Sequence, residues 1–319
     1  MLILKPRPGG RSGTVRRDGA TAKAALNSGA DSAMDAATPD DYCAERVRRF
    51  DRDRYLTALF APAERRADLL ALYAFNVEIA GVRETVSEPL LGHIRIQWWR
   101  DALDGIYGGA PPAHHVAGPL SRAARRHRLK RETFETLLAA RAADLDHVQP
   151  PTDQALERYA EATSATITHL ALQILGVDSD AAREAGRRVG LAWALTGLLR
   201  ALPLHAAERR CYLPSAACRA AGLDVEEVFA GRPGAGLAPV VAGIAAAASR
   251  HLDAARVLRR NCPRAAVAAL LPAVLAGVYL DRLRRAGDDP FRAAARPHAT
   301  SAGPAAMIRL AVAAMSGRF

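Results

Sequence analysis

The chain has 319 residues, is 50% hydrophobic and carries 44 Lys and Arg against 33 Asp and Glu, for a net charge of +11 and a pI near 10.1. A chain of this length can bury a sizeable core as one or two domains, and an Ala- and Leu-led composition with 5% aromatics favours helix over sheet. The positive charge is spread along the chain: it suits a membrane surface or a diphosphate as well as plain solvated basic faces, and no nucleic-acid partner is expected.

Residues 1–37 are rich in Gly, Ala, Arg and Ser and lack helical periodicity. They read as a disordered basic tail, with a transit peptide the weaker alternative because Pro6, Pro8 and Gly9-Gly10 interrupt any amphipathic helix. Order is expected from Thr38-Pro39-Asp40-Asp41, an N-cap followed by proline and two acids. One long helical pattern covers 62–86. Ser87-Glu88-Pro89 opens the next, which stops at Gly108-Gly109. Further helices are expected over 117–128, 131–146, 152–175, 180–202, 224–230, 237–260 and 264–286. The domain is read as 38–295, with 296–319 a C-terminal segment forming a helix packed on it. The uncharged stretch 265–280 contains Pro272 and falls short of the roughly 20 residues a membrane span needs.

No alternating strand pattern, hairpin signal, repeat, GxGxxG or Walker loop stands out, so the fold class is all-α. Cys43, Cys211, Cys218 and Cys262 form no CxxC pair and, with the nine histidines, no zinc spacing and no HExxH. The cysteines read as small buried hydrophobes in a reducing compartment.

Several stretches carry more information: "LLALYAF" followed by "NVEIAGVRE", "QWWRDALDGIYGG", "RAADLD" at 141–146, and "LTGLLR" leading to "RRCYLP" over 195–214. In order and spacing, over about 42–290, they resemble the squalene/phytoene synthase family of head-to-head prenyl synthases. The resemblance implies a single multi-helix bundle of the isoprenoid-synthase type around a central cavity. It also implies two acidic motifs on facing helices, which hold magnesium and two prenyl diphosphates while apolar walls shield a carbocation.

At those motif positions this sequence departs from the family. A DDxxD pattern falls on Ala80, Gly81 and Glu84, and a DxxED pattern after Arg200 falls on Ala201, Leu204 and His205. Only Glu84 is a carboxylate. Glu78 lies two residues from Ala80, an offset that points to another helix face. Pro203 is expected to end or kink the helix. No catalytic residue, no metal and no other cofactor are therefore expected. Magnesium enters only under the alternative, an active head-to-head prenyltransferase using farnesyl or geranylgeranyl diphosphate with atypical ligands.

Within the family, the string from "AFNVEIAGVRETVSEPLL" to "GIYGG" is similar to a non-catalytic branch whose members help to build respiratory complex I, the NADH:quinone oxidoreductase. That resemblance implies an assembly role, with complex I subunits or assembly factors as partners. It also implies a cytoplasmic site, peripheral on the inner face of the plasma membrane, or the matrix side in a eukaryote.

Arg200 and Arg210, with Glu84, Tyr73 and Tyr212, are the candidate ligand-binding residues. A pocket stripped of acids but keeping its arginines would be net positive and suit a prenyl diphosphate or anionic lipid headgroup without metal. The structural alternatives are a buried ion pair for Arg200, with Glu84 as its partner, and simple solvation for Arg210. Tyr73, Phe75 and the Trp98-Trp99 pair read as packing, the tryptophans shared between the core and a half-exposed helix face. A third reading is an anionic-membrane binder driven by charge alone and sensitive to salt.

Overall fold

A computed structural model describes residues 38–86, 88–146, 148–295 and 303–319; the expected tail over 1–37 lies outside the described residues. Thr38 starts the first helix, α1 (Pro39–Phe50). Its hydroxyl accepts from the Asp41 amide, and the Asp41 carboxylate accepts from the Thr38 amide, a reciprocal capping box with proline at the first position. Asp51 ends α1 and caps α2 (Arg52–Ala58), accepting from the Arg54 amide at 3.3 Å. There follow α3 (Ala63–Ala80), the single turn α4 (Val82–Thr85), α5 (Pro89–Gly108), α6 (Ala117–Arg126) and α7 (Arg131–Ala143). A 3₁₀ turn (Asp144–Asp146) leads to α8 (Asp153–Ala160), a π-helical segment (Glu161–Ala165), α9 (Thr166–Ile174) and α10 (Asp180–Ala207). The chain closes with α11 (Ser215–Ala220), α12 (Val225–Phe229), α13 (Leu237–Leu258), α14 (Val267–Leu270), α15 (Pro272–Arg285), α16 (Pro290–Ala294) and α17 (Gly303–Ser316). Among the described residues there is no strand, and the fold is the all-α bundle that was expected.

The axis of the bundle is α10. Every residue from 189 to 199 is buried, so this helix has no solvent face, as its apolar run around the whole circumference demands. It packs on α13, on the π segment, and on α9, α15 and α16, while α1, α3 and α6 form a neighbouring layer. By length and composition α10 and the run Arg264–Arg285 could cross a membrane, but 83% and 72% of their apolar windows are buried in the bundle. They are core helices here.

The structure corrects four helix boundaries. The pattern over 62–86 breaks at Gly81, where a turn separates α3 from α4. The pattern over 131–146 tightens into the 3₁₀ turn at Asp144. That over 152–175 carries the π segment; the hydroxyls of Thr163 within it and Thr166 just after it donate to the carbonyls of Tyr159 (2.7 Å) and Glu161 (3.0 Å) and compete with the regular ladder. The fourth correction concerns Pro203. It does not end α10, which runs on to Ala207; burial of His205 and Ala206 beyond it, continuing that of Ala201 and Leu202 before it, outweighs the one hydrogen bond that proline forfeits.

The π segment lies so close to α10 that a Cβ on Gly190 would sit 2.4 Å from the Ala165 Cα. Backbone cannot yield as a side-chain tip can. Gly190→Ala is expected to cost about 3 kcal/mol, the upper range for overpacking, read as a fall in the urea midpoint. An unchanged midpoint would mean that α10 and the π segment separate freely.

Candidate functional site

The two motif segments are linked where Glu84 on α4 reaches Arg210 in the loop after α10, but they bring almost no carboxylate. Gly81 and Ala201 are buried, and Ala80 and Leu204 half-buried. His205 is 6% exposed. Burial pushes its imidazole down to about 3, and the nearby Arg210 charge adds to the shift, so it is neutral at physiological pH. Its ring lies 4.9 Å from that of Tyr212, and its Nδ1 has no hydrogen-bond partner. Glu84 is the one acid, and it is paired to Arg210 at 3.5 Å. Glu78 instead binds Arg46 at 2.8 Å. Among the described residues no group of three or more His, Cys, Asp or Glu side chains could hold a metal ion. Magnesium requires several hard oxygen ligands, and this donor set does not fit it.

The arginines stay, but each has a counter-charge. Arg200 does not meet Glu84. Its Nη1 lies 3.4 Å from Asp53 Oδ2, and its guanidinium stacks 3.4 Å above the Tyr279 ring. The Tyr279 hydroxyl donates to both Asp53 oxygens, at 3.0 and 2.9 Å. Burial pushes the Asp53 carboxyl up, while Arg200 and the Tyr279 hydroxyl pull it back. Arg210, 6% exposed, binds Glu208 as well as Glu84; burial raises the Glu84 pKa and the Arg210 charge opposes it. Deeper in, Arg54 pairs with Asp51 at 2.9 Å, with both side chains under 5% exposed, and donates to the Ser164 hydroxyl at 3.3 Å. Tyr73 lies beneath this guanidinium, 5.7 Å from ring centroid to Cζ, and burial pushes its phenol up to about 12.

A third cluster is built on the 3₁₀ turn after α7. Asp144 accepts from Arg141 (3.1 Å), from the Tyr159 hydroxyl (3.0 Å) and from the Tyr212 hydroxyl (3.0 Å). Arg141 also donates to the Tyr159 oxygen at 2.8 Å. The tight 3₁₀ turn holds Asp144 beside Arg141 at a separation of three residues.

Between these clusters lies a cavity of about 20 Å³ with mixed walls, Arg54, Asn76, Arg141, Tyr159 and Ser164 beside Trp193, Ala194 and Leu198. That volume has room for one or two water-sized molecules. The Asn76 Nδ2 and Trp193 Nε1 donors on its wall have no protein acceptor, which matches small acceptor-rich occupants far better than a prenyl chain.

A profile of the squalene/phytoene synthase family matches residues 47–302. The chain belongs to the squalene/phytoene synthase family. Among curated relatives, NADH dehydrogenase (ubiquinone) complex I, assembly factor 6 from Bos taurus is 36% identical over 82% of this chain and 79% of its own length. Presqualene diphosphate synthase from Rhodopseudomonas palustris is 26% identical over 72% of this chain and 81% of its own length. Among solved structures, a squalene synthase from Alicyclobacillus acidocaldarius superposes with a TM-score of 0.71 at 19% identity, covering 79% of this chain and 95% of its own.

For this squalene/phytoene synthase family member, reading the motifs missed the partners of its arginines. Asp51, Asp53 and Arg54 all come from "FDRDRY" at 50–55, a run of alternating charges that begins at the end of α1, and all three are buried. That alternation was the available signal, since buried charges must be paired. Tyr279, isolated in an apolar helix, signalled a hydroxyl in need of an acceptor. Arg141 and Asp144 stood inside "RAADLD", which marked the family without indicating their role. Trp99 is buried and packs edge-on against Phe75, whereas Trp98 is 39% exposed.

Proposed function

We propose that this protein serves the assembly of the respiratory NADH:quinone oxidoreductase, in a peripheral position on the membrane where that enzyme is built, and does not transfer prenyl groups. One observation carries the reading. At five of the six positions where the family's pattern calls for acids, Ala80, Gly81, Ala201, Leu204 and His205 offer no carboxylate, and the sixth, Glu84, is taken by Arg210. Without a clamp of hard oxygen ligands, a diphosphate leaving group gains no electrophilic help and ionisation has no driving force. Similarity along most of the chain to an assembly factor supports the positive half of the proposal.

Arg200 and Arg210 could take up an anion only by giving up Asp53 or Glu84. The reading therefore assigns both, with Tyr73 and Tyr212, to holding the bundle together. Two measurements test it. Purified protein incubated with farnesyl or geranylgeranyl diphosphate and magnesium should release no pyrophosphate above the protein-free control. A deletion strain should lose assembled NADH:quinone oxidoreductase while its carotenoid and hopanoid content stays unchanged. Turnover in the first, or lost isoprenoid product in the second, would replace this reading with that of an active prenyltransferase using unusual ligands.

A further inference from the structure

Helix α17 is apolar all round, with Arg309 its one charge. Its inner side, Ala306 and Leu310, is buried where it packs on α15. Its outer side carries Ile308, Val312 and Met315, which are 65%, 53% and 68% exposed. Their spacing of four and three residues sets them in one stripe. Single exposed apolar residues are ordinary, but a contiguous stripe on one helix face marks a contact surface.

Basic residues edge this stripe. Arg309 and Arg318 lie on and just past α17, and Arg259, Arg260 and Arg264 lie on the turns before α14, whereas Arg256 and Arg292 are taken by Asp253 and Asp289. The two segments meet in space, since Arg264 donates to the Met315 carbonyl at 3.4 Å. Arg260, Arg264, Arg309 and Arg318 are exposed. An apolar stripe edged by arginines is the arrangement that lies in a bilayer interface, with aliphatic tips at the acyl boundary and guanidinium groups at lipid phosphates. A second copy of the chain is a poor occupant, because two-fold packing would set like charges face to face. A second exposed stripe, Leu90, Leu91, Ile94 and Trp98 on α5, lies among both signs of charge, Glu88, Arg95 and Asp101, and has no such complementarity.

From these observations we infer that the outer face of α17 docks on a lipid surface bearing anionic headgroups. This deepens the peripheral placement proposed above and names the surface responsible. Co-sedimentation of the full chain with vesicles tests it, comparing pure phosphatidylcholine with an equal mixture of phosphatidylcholine and phosphatidylglycerol. Binding should favour the mixed vesicles by about tenfold or more and weaken at high salt. Ile308→Ser with Met315→Ser should lower it about tenfold, while Leu90→Ser with Ile94→Ser on α5 leaves it unchanged. Circular dichroism checks that both variants stay folded. Equal binding by the α17 variant, or indifference to phosphatidylglycerol, overturns the inference. So does a solution dimer that the α17 variant dissociates, which would assign the face to a second copy. If vesicle binding fails but the deletion strain still loses assembled oxidoreductase, docking falls and the assembly reading stands; the opposite pair of results sinks assembly and leaves docking.

Discussion

Asp144→Ala is expected to destabilise the fold by about 3–5 kcal/mol, the cost of leaving a buried cation without its partner. The change strands Arg141, whose side chain is 12% exposed, and takes the acceptor from the hydroxyls of Tyr159 and Tyr212 at once. Asp144→Asn should cost less, since an amide oxygen still accepts from the tyrosines. A double variant, Arg141→Met with Asp144→Leu, should recover the part of the loss that comes from the stranded cation, because an apolar pair has no charge to desolvate, but not the part that comes from the two tyrosine hydroxyls. Urea unfolding followed by tryptophan fluorescence reads all three. A loss below about 1 kcal/mol for Asp144→Ala, the value typical of a solvated pair, would mean that the cluster is open to water. Arg141, Tyr159 and Tyr212 would then be free to meet a ligand.

Acid should weaken the fold through His205. Its folded-state pKa is pushed from 6.5 to about 3, so between these values the unfolded chain binds a proton that the native state refuses. Stability therefore rises with pH across that window and is level above it. At about 1.36 kcal/mol per pKa unit, the full span amounts to about 5 kcal/mol, of which roughly half is lost between pH 6.5 and 4.5. Asp53 and Glu84 act in the opposite sense: their folded pKa values are raised, so their contribution falls as pH rises. Comparing the wild type with His205→Leu isolates the imidazole. The variant should match the wild type near pH 7 and lose about 2–3 kcal/mol less on going to pH 4.5. Parallel pH profiles for the two proteins would show that His205 is charged in the native state.

That a histidine stands where the family's pattern calls for an acid has a physical consequence beyond the lost ligand. A carboxylate there would be charged and would need a cation. A neutral imidazole against the Tyr212 ring packs as a half-apolar disc and leaves Arg210 to Glu84 and Glu208. The arginine frame around "RRCYLP" has a structural use of its own, because Arg209 reaches Glu226 and Arg210 reaches Glu84.

By itself the sequence determined what depends on neighbours a few residues apart. The N-cap at Thr38, the helix stops at Gly109 (φ 89°) and Gly176 (φ 73°), and the apolar circumference of α10 were legible, since helix ends and periodicity are settled within a turn or two. The ordered motifs likewise placed the chain in its family, and the side chains at 80, 81, 201, 204 and 205 told of the missing acids. Only the tertiary structure decided which charges pair. Asp53 and Arg200 are 147 residues apart, and Glu84 and Arg210 are 126; no local rule joins them, and the fold does, bringing α2 to α10 and α4 to the loop that follows it. Nor does periodicity foretell that α10 passes through Pro203, or that the chain widens into a π segment at Glu161–Ala165. In both places burial against a neighbouring helix outweighs the preference of the local backbone.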